Sequence, residues 1–321
     1  MFKRIYQLYK IARKLASSGA LETIDEIYNL PKIIIVFFQL FSIGVKKNFI
    51  NKAKKPGEKL CEALEGMGTT FIKLGQFLAT RPDIIGNDLA NDLEKLQDKL
   101  PPFNTQLSKQ ILLKELGENQ FKQISNFSEP IAAASIAQVH TASIKIGSES
   151  KSVAIKILRP GIEKKFNEEI DALMLLAYIV EGLVAKTKRL KLVDVVHLLR
   201  EITNIEMDLR FEASAANELF ENTKYDKGFN VPQIYWNFTS KKILTLDKVD
   251  GISIREQQTL EKSGIKLKNL AENLIQFFLL QAVRDGFFHG DMHQGNLFVD
   301  KNGNIVPVDF GIMGRLDKSN R

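Results

Sequence analysis

The sequence predicts an α+β fold, in which a helical opening third precedes a region of strands and helices. Apolar residues recur at helical spacing through 58–116. From 135 to 158, apolar and polar residues alternate on both sides of the turn "SESK", as they do in paired strands. These patterns predict four segments: a basic and apolar helical segment at 1–57, a helical extension at 58–125, a strand-containing region at 126–250, and a partial helical region at 251–321.

The same spacing predicts individual elements. Proline and glycine set several of their ends, since proline disfavours helix in the residue before it. A strand is expected at 241–249, and "LFVDKNGNIVPV" at 297–308 has the pattern of a hairpin. The expected helices are Glu58–Leu78, Asn87–Leu100, Thr105–Leu116, Ile170–Val184, Leu192–Leu219 and Leu267–Arg284. The last is apolar nearly all round, which predicts that it is buried.

Composition limits the classes of function. The 321 residues carry a net charge of +7, which favours anionic partners such as a nucleotide or phospholipid headgroups. The sequence has neither an RNA-binding aromatic motif nor zinc-finger spacing, so no nucleic-acid partner is expected. Cys61 is the only cysteine, which excludes an intramolecular disulfide. We expect Cys61 to be a small core residue.

No segment of the sequence is long enough to predict a transmembrane helix. The most apolar run, Ile33–Val45, is well short of the roughly 20 residues that a spanning helix needs. Lysines and arginines lie on both sides of it. The pattern is therefore compatible with an interfacial helix at an anionic membrane surface, and equally with a helix packed on the main domain.

Two short motifs near the end of the chain indicate phosphoryl transfer. Residues 289–296 read "HGDMHQGN", and "DFG" begins thirteen positions after Asn296. Phosphoryl transfer requires a carboxylate at the nucleophile, with an amide and a second carboxylate that hold the metal ions bridging the phosphates. We therefore expect Asp291 as the catalytic or substrate-positioning carboxylate, and Asn296 and Asp309 as Mg²⁺ ligands. His289 and His293 either brace this loop or form a metal pair.

Lys156 extends the pattern toward a nucleotide site. It lies in "VAIK", in a predicted strand upstream of both motifs, which is the order of elements in a protein-kinase-like fold. In that fold, with its small β-containing N-lobe and mainly helical C-lobe, this lysine holds the α- and β-phosphates of ATP. Kinases place a glycine-rich loop before it, whereas this chain has Ala132, Ala133, Ala134 and Ser135. Alanine resists the positive φ that glycine permits, so a stiffer nucleotide-binding loop is expected. Ser135 either contacts a phosphate or caps the turn.

Further motifs make the resemblance specific. The segments "KLGQFLATRPDII", "PIAAASIAQVH", "VAIKILRPGI", "EMDLRFEASAAN" and "HGDMHQGNLFV" together resemble the UbiB family, the atypical kinase-like proteins of ubiquinone biosynthesis. The resemblance runs from Leu60 to Leu316. It implies that the first segment belongs to a family-specific helical extension that precedes the kinase-like lobes.

The resemblance also implies roles for individual residues. Glu212 is implied to pair with Lys156, and the hinge that contacts adenine is expected at Leu246–Val249, with Asp247 and Val249 binding the nucleotide. The KxGQ motif, on a helix over the active site, is implied to meet the ExD motif. Their residues are Lys73 and Gln76, and Glu206 and Asp208.

The resemblance implies an ATP-binding, Mg²⁺-dependent atypical kinase or ATPase that supports ubiquinone biosynthesis. The expected partners are adenine nucleotide, quinone-biosynthesis enzymes or their lipid-soluble precursors, and an anionic membrane surface. The expected location is cytoplasmic and peripheral on the inner membrane. The chain ends at Arg321, where a kinase-like fold continues into an activation segment and further C-lobe helices. We therefore expect a C-terminally truncated member with an incomplete C-lobe.

Two other functions stay open from the sequence. "HGDMHQGN" also resembles the loop of aminoglycoside and choline kinases, which favours a small-molecule phosphotransferase. Those kinases lack the KxGQ helix and its ExD partner, so residues 60–80 argue against this alternative. The alanine-rich loop and the incomplete C-lobe favour a catalytically impaired, nucleotide-binding scaffold.

Overall fold

The computed structural model describes residues 2–18, 20–28, 32, 35–36, 40, 55–96, 100–183 and 185–321. The chain divides into two compact units. The first comprises Met1–Pro101, Ala134–Ile136 and Gly161–Asn204, and the second comprises Pro102–Ala133, Ala137–Pro160 and Ile205–Arg321. The segment boundaries expected at residues 57, 125 and 250 stay predictions.

The described part of the first unit is mainly helical. Gly68 divides the predicted helix Glu58–Leu78 in two, because its φ of +101° lies in the region that favours glycine. One helix therefore ends at Met67 and the next begins at Thr69. The helices are Phe2–Ser18, Ala20–Tyr28, Pro56–Met67, Thr69–Ala79, Pro82–Ile85, Asn87–Leu93, Ile162–Leu183, the 3₁₀ helix Ala185–Leu190, and Leu192–Glu206, whose last two residues belong to the second unit.

Close packing in the first unit involves the glycine of the KxGQ motif. A Cβ on Gly75 would lie 2.3 Å from a methyl carbon of Leu96 and 2.8 Å from one of Leu64.

Cys61 is buried, and its Sγ donates a hydrogen bond to the carbonyl oxygen of Asp92 at 3.2 Å. Burial raises the pKa of the Cys61 thiol to about 11. The prediction that Cys61 is a core residue is confirmed.

An antiparallel sheet frames the second unit. Strands β1 (Ile124–Ser125), β3 (Ala137–Ile146), β4 (Glu149–Leu158) and β5 (Ile243–Asp247) lie side by side in that order, and β2 (Ala132–Ala133) pairs with β3. The helix Thr105–Phe121 packs on this sheet and breaks helical geometry at Gly117. Their shared core contains Leu112, Ala142, Ile144, Val153, Ile155, Ile157, Tyr235, Phe238 and Ile243.

The predicted helix Leu192–Leu219 is two helices, Leu192–Glu206 and Leu209–Thr223. Asp208 caps the second helix, because its carboxylate accepts a hydrogen bond from the backbone N–H of Arg210 at 3.2 Å. The backbone N–H of Leu209 donates to the carbonyl of Lys241 at 2.9 Å, a bond between segments distant in the sequence. The break therefore depends on tertiary contacts that helical spacing does not reveal.

The rest of the second unit contains short strands and helices. The strands β6 (Gly251–Ser253), β8 (Leu297–Asp300) and β9 (Ile305–Pro307) form one sheet, which confirms the predicted hairpin at 297–308. Strands β7 (Phe287–His289) and β10 (Met313–Arg315) form another. The helices are the 3₁₀ helix Trp236–Phe238, the α-helices Gln257–Lys262 and Leu267–Leu279, and the π-helix Leu280–Asp285.

Two expectations about apolar helices have different outcomes. The prediction that Leu267–Arg284 is buried is wrong, because Ile275, Leu279 and Val283 are each more than half exposed. Within the described residues, no helix is both long and apolar enough to cross a membrane. Most of the apolar run Ile33–Val45 lies outside the described residues.

Candidate functional site

An ion pair between Lys156 and Glu212 forms the centre of the site. Lys156 lies on the central strand β4, opposite Val139 on β3 and Leu244 on β5. Its Nζ is 2.9 Å and 2.8 Å from the two carboxylate oxygens of Glu212, which lies in the first turn of Leu209–Thr223. Both side chains are largely buried, with 18% and 8% of their surface exposed. The pairing expected from the sequence is present in the structure.

Asp309 adds a second carboxylate to this pair. Its Oδ2 lies 3.6 Å from Lys156 Nζ, and its Oδ1 accepts a hydrogen bond from the backbone N–H of Gly311 at 3.0 Å. Burial opposes the charged form of Lys156, but the Asp309 and Glu212 carboxylates outweigh it and raise the pKa of the ammonium. Burial raises the pKa of Glu212 and outweighs the effect of Lys156. Two carboxylates therefore share one ammonium, and when all three are ionised their net charge is −1.

Backbone hydrogen bonds hold the loop with Asp291 to the loop with Asp309, and a side-chain bond joins Asn296 to Asp291 within the first loop. Asn296 Nδ2 donates to Asp291 Oδ2 at 2.8 Å, and the Asn296 carbonyl accepts from the backbone N–H of Val308 at 3.0 Å. The backbone N–H of Gly290 donates to the Ile312 carbonyl at 2.9 Å. The structure thus brings together the segments that carry the three groups expected from the sequence.

His289 braces these two loops. Its Nε2 donates to the carbonyl oxygen of Asp309, and its Nδ1 accepts from the backbone N–H of Asp291 at 3.2 Å. Burial lowers the pKa of His289, which favours the neutral ring that these two bonds require. His293 is exposed, and its Nδ1 accepts from the backbone N–H of Gly295 at 3.3 Å. Of the two alternatives for this pair, the two hydrogen bonds of His289 favour the brace.

The expected Mg²⁺ ligands fit a hard cation by their chemistry. Mg²⁺ prefers oxygen ligands, usually one or two carboxylates with water and substrate phosphates. Asp309 supplies a carboxylate with 46% of its side chain exposed, and the amide oxygen of Asn296 remains available because its Nδ2 bonds Asp291. The negative charge around Lys156 also favours a cation. Asn296 and Asp309 are therefore suited to this role, which stays a proposal.

The alanine-rich loop contains a short strand. Ala132 and Ala133 form β2 and pair with Val139 and Gln138 of β3. Among the described non-glycine residues, only Asn126 and Lys191 have positive φ, so these alanines adopt none of the left-handed backbone that glycine would permit. Ser135 is buried and belongs to the first unit. Both roles weighed for Ser135 stay predictions.

The predicted hinge residue Asp247 is held by residues that sequence reasoning missed. Tyr235 Oη donates to Asp247 Oδ1 at 2.5 Å, and the backbone N–H of Gln233 donates to Oδ2 at 3.1 Å. The carboxylate therefore already has two protein partners, and a contact of Asp247 with adenine stays a prediction. Val249 is half-buried beyond the end of β5. An aromatic residue twelve positions before an aspartate carries no recognisable signal, so Tyr235 could not be identified from sequence.

The ExD residues do not share one helix. Glu206 ends the first helix, while Asp208 caps the next and is clasped by Arg210, with guanidinium contacts of 2.9 Å and 2.6 Å. The hydrogen bond from Arg210 lowers the pKa of Asp208. Lys73 and Gln76 lie half-buried on Thr69–Ala79 in the first unit. The meeting of the two motifs stays a prediction.

Comparisons with known proteins agree with this fold. The model of the ABC1 atypical kinase-like domain matches residues 95–321. A probable protein kinase UbiB of Marinobacter nauticus is 36% identical over 318 residues, which cover 98% of this chain and 57% of the relative. The corresponding protein of Pseudomonas fluorescens is 38% identical over 265 residues, which cover 81% of this chain and 49% of that relative. The corresponding protein of Histophilus somni is 35% identical over 325 residues, which cover 99% of this chain and 59% of that relative.

One solved structure extends the comparison to three dimensions. The Rv3197 protein of Mycobacterium tuberculosis, solved in complex with erythromycin, superposes with a TM-score of 0.52 at 28% sequence identity. The match covers 76% of this chain and 59% of that one. The chain spans between about half and three fifths of the length of these known proteins. It has an α+β kinase-like fold with helices before the matched domain, and it belongs to the ABC1/UbiB family of atypical kinase-like proteins.

Proposed function

We propose that the chain binds ATP with Mg²⁺ and acts as a UbiB-like atypical kinase or ATPase in support of ubiquinone biosynthesis. The observation that carries this proposal is the cluster of Lys156, Glu212 and Asp309, in which a buried ammonium is held between two carboxylates. A kinase-like domain implies nucleotide binding, and this cluster has the groups that such binding requires.

Each residue has a distinct part in the proposed chemistry. Glu212 holds the Lys156 ammonium in place, where it can contact phosphate oxygens of ATP. Asn296 and Asp309 would hold Mg²⁺, which when bound neutralises charge that develops on the transferred phosphoryl group. Asp291, held by the Asn296 amide, orients the attacking water or hydroxyl group. His289 keeps the two loops together as a neutral ring.

The proposed setting of the activity is supported by the family and by the charge of the chain. The relatives named UbiB support a role with quinone-biosynthesis enzymes or their lipid-soluble precursors. The net charge of +7 supports contact with an anionic membrane surface from the cytoplasmic side of the inner membrane.

Thermal unfolding with and without Mg²⁺ and ATP tests nucleotide binding. Ligand at about a hundred times its dissociation constant adds roughly 2.7 kcal/mol of stability, which raises Tm by several degrees at about 2–4 °C per kcal/mol. Lys156→Ala and Asp309→Asn should lose this rise. Lys242→Ala is the matched control, because Lys242 directly precedes β5 and pairs with Glu115 at 2.9 Å, outside the site. A rise that survives in both site variants contradicts the proposal.

A nucleotide-binding scaffold is the second candidate. It is favoured by β2, since pairing of Ala132 and Ala133 with β3 fixes the segment that a flexible glycine loop would leave free to close over phosphate. ATP binding without phosphate release, together with co-purification of quinone-biosynthesis enzymes, would favour the scaffold over the enzyme.

A further inference from the structure

A groove lies on the second unit, and one of its lining residues, Ile234, forms a bridge with Leu246 of β5. It is lined by the end of Thr105–Phe121 and the residues that follow it, by the β3–β4 turn, and by Ile234–Phe238. Its volume of about 370 Å³ is within the range of small-molecule sites. Its floor includes Tyr235 and Phe238, both part of the buried core of the sheet. The groove therefore combines an apolar part at these two residues with a mainly polar lining.

The polar side chains that line the groove include a positive charge and no negative one. Lys145 lines it, and none of its lining residues is an aspartate or glutamate. In the described part of the chain, the ammonium of Lys145 and the side-chain amides of Gln120 and Asn237 have no protein partner. Each is an ordinary surface residue by itself. Together in one groove, they provide a positive charge and two amides that can bind an anionic ligand.

Trp236 gives the groove an aromatic wall. This residue is 47% exposed, although most tryptophans bury a larger part of their surface. An exposed indole face beside an ammonium favours a planar aromatic ligand, which can stack on the ring while its anionic group reaches Lys145. An aliphatic anion would satisfy only the lysine, and a neutral aromatic only the indole.

The wall of the groove is also hydrogen-bonded to the proposed hinge. Tyr235 Oη donates to Asp247 Oδ1 at 2.5 Å, and the Tyr235 backbone N–H donates to the Thr245 carbonyl at 2.9 Å. Gln233, next to the wall, exchanges two bonds with Asp247: its N–H to Oδ2 at 3.1 Å, and its carbonyl from the Asp247 N–H at 3.0 Å. A ligand that orders this wall therefore also orders the end of β5.

We propose that this groove is a second small-molecule site, which takes a planar aromatic anion and, through Tyr235 and Asp247, strengthens nucleotide binding at the hinge. The second half rests on the proposed function, whereas the first half does not. Binding that rigidifies the wall leaves less conformational entropy for the nucleotide to remove, so the coupling is positive.

The single tryptophan makes the first half directly measurable. Because Trp236 is the only tryptophan in the chain, its fluorescence reports on the groove alone. Titration of the full chain without nucleotide compares benzoate, benzamide and cyclohexanecarboxylate. We expect a saturable change with the tightest binding for benzoate. Equal responses to all three compounds, or no saturable response to benzoate, would overturn the site.

Variants identify the contacts. Lys145→Gln should weaken benzoate binding roughly fivefold, the scale of one exposed charge contact, and should remove the preference for benzoate over benzamide. Lys151→Gln is the matched control: Lys151 lies on the same hairpin but pairs with Glu149 at 2.9 Å, and its loss should leave benzoate affinity unchanged. Equal weakening by both substitutions would contradict the assignment of Lys145.

The coupling is tested with nucleotide present. Saturating benzoate should lower the Kd of Mg²⁺ and ATP on the order of fivefold, and Tyr235→Phe should remove this effect while retaining benzoate binding. An unchanged Kd for ATP would overturn the link to the hinge. Failure of ATP to bind at all would instead count against the proposed function, while the titrations without nucleotide would still decide the groove.

Discussion

Asn296 Nδ2 lies 2.8 Å from Asp291 Oδ2, so the amide proposed as a metal ligand also holds the proposed catalytic carboxylate. An amide has a donor and an acceptor end, and here the donor end is used by Asp291. The acceptor end remains for a cation. One side chain thus links two functions, which explains why an amide suits this position better than a third carboxylate.

The first prediction tests this dual use. Asn296→Asp should place two carboxylates at hydrogen-bonding distance, so one of them must take up a proton or both must move apart. We expect Mg²⁺-dependent ATP turnover to fall about 10–100-fold, the range for loss of a group that orients a metal site. Asn302→Asp, at an exposed position between β8 and β9, is the control. Equal turnover in wild type and Asn296→Asp would contradict this account.

The second prediction concerns the unequal cost of removing each partner of the buried pair. Lys156→Met leaves Glu212 and Asp309 without their cation, and should cost about 3–5 kcal/mol of unfolding free energy. Glu212→Gln leaves Lys156 beside Asp309, 3.6 Å away, and should cost less. Urea unfolding of both variants gives the two values, and a larger loss for Glu212→Gln would refute the shared-ammonium arrangement.

A double variant separates stability from function. Lys156→Met with Glu212→Leu replaces the pair by apolar side chains, and such replacements are often neutral or stabilising. We expect it to be more stable than Lys156→Met alone. It should still show no rise in Tm with Mg²⁺ and ATP, because the phosphate-binding ammonium is absent.

Sequence reasoning succeeded where motifs and the family resemblance identify the residues of the site. Lys156, Glu212 and Asp309 come from a strand, a helix and a loop, yet their motifs placed them in one site, and the structure brings them together. Sequence reasoning failed where the apolar pattern of one helix continues into the next helix across a break in the backbone. Apolar spacing runs through residues 206–209, but Asp208 caps a new helix there. Since the capping residue resembles a polar surface position, the pattern could not reveal it.

Burial was the other quantity that sequence could not supply. The apolar positions of Leu267–Arg284 predicted a buried helix, whereas Ile275, Leu279 and Val283 are largely exposed. An apolar side chain indicates what a helix can bury, but burial also requires a packing partner. Hydrogen-bond partners cannot be predicted from local sequence for a similar reason. Tyr235 and Asp247 meet through the pairing of segments, which depends on the whole sheet.

The third prediction is a pH dependence of stability that originates at His140. This buried ring donates from Nδ1 to the Ser128 carbonyl at 2.9 Å. Its Nε2 accepts from Ser108 Oγ at 3.0 Å and from Gln138 Nε2 at 2.9 Å. Burial lowers the pKa of His140, so the folded state favours the neutral ring. Below the unfolded pKa of about 6.5, the unfolded chain binds a proton that the folded chain does not.

The contribution of His140 to the free energy of unfolding should therefore be fully present above about pH 6.5, and it should decrease as the pH falls toward the folded pKa. The slope for this one group is at most about 1.4 kcal/mol per pH unit. Urea unfolding between about pH 7.5 and about pH 5.5 measures the slope, over a range above the titration of most carboxylates. His140→Gln should reduce that slope whatever its effect on absolute stability. His197→Gln, at an exposed position, is the control. An identical slope in wild type and His140→Gln would exclude His140 as the source.

The fourth prediction gives the glycine of KxGQ a packing role. A Cβ at Gly75 would lie 2.3 Å from a Leu96 methyl carbon and 2.8 Å from a Leu64 methyl carbon, and both leucines are buried. Gly75→Ala should therefore cost about 1–3 kcal/mol through overpacking, although alanine favours a helix. Gly66→Ala is the matched control: Gly66 is also helical, and a Cβ there meets nothing within 4 Å. That substitution should stabilise by about 0.5–1 kcal/mol. Because the two substitutions have the same intrinsic helix propensity, the difference between their unfolding free energies isolates the contacts with Leu64 and Leu96, and equal effects would show that the helix Thr69–Ala79 does not depend on this close approach.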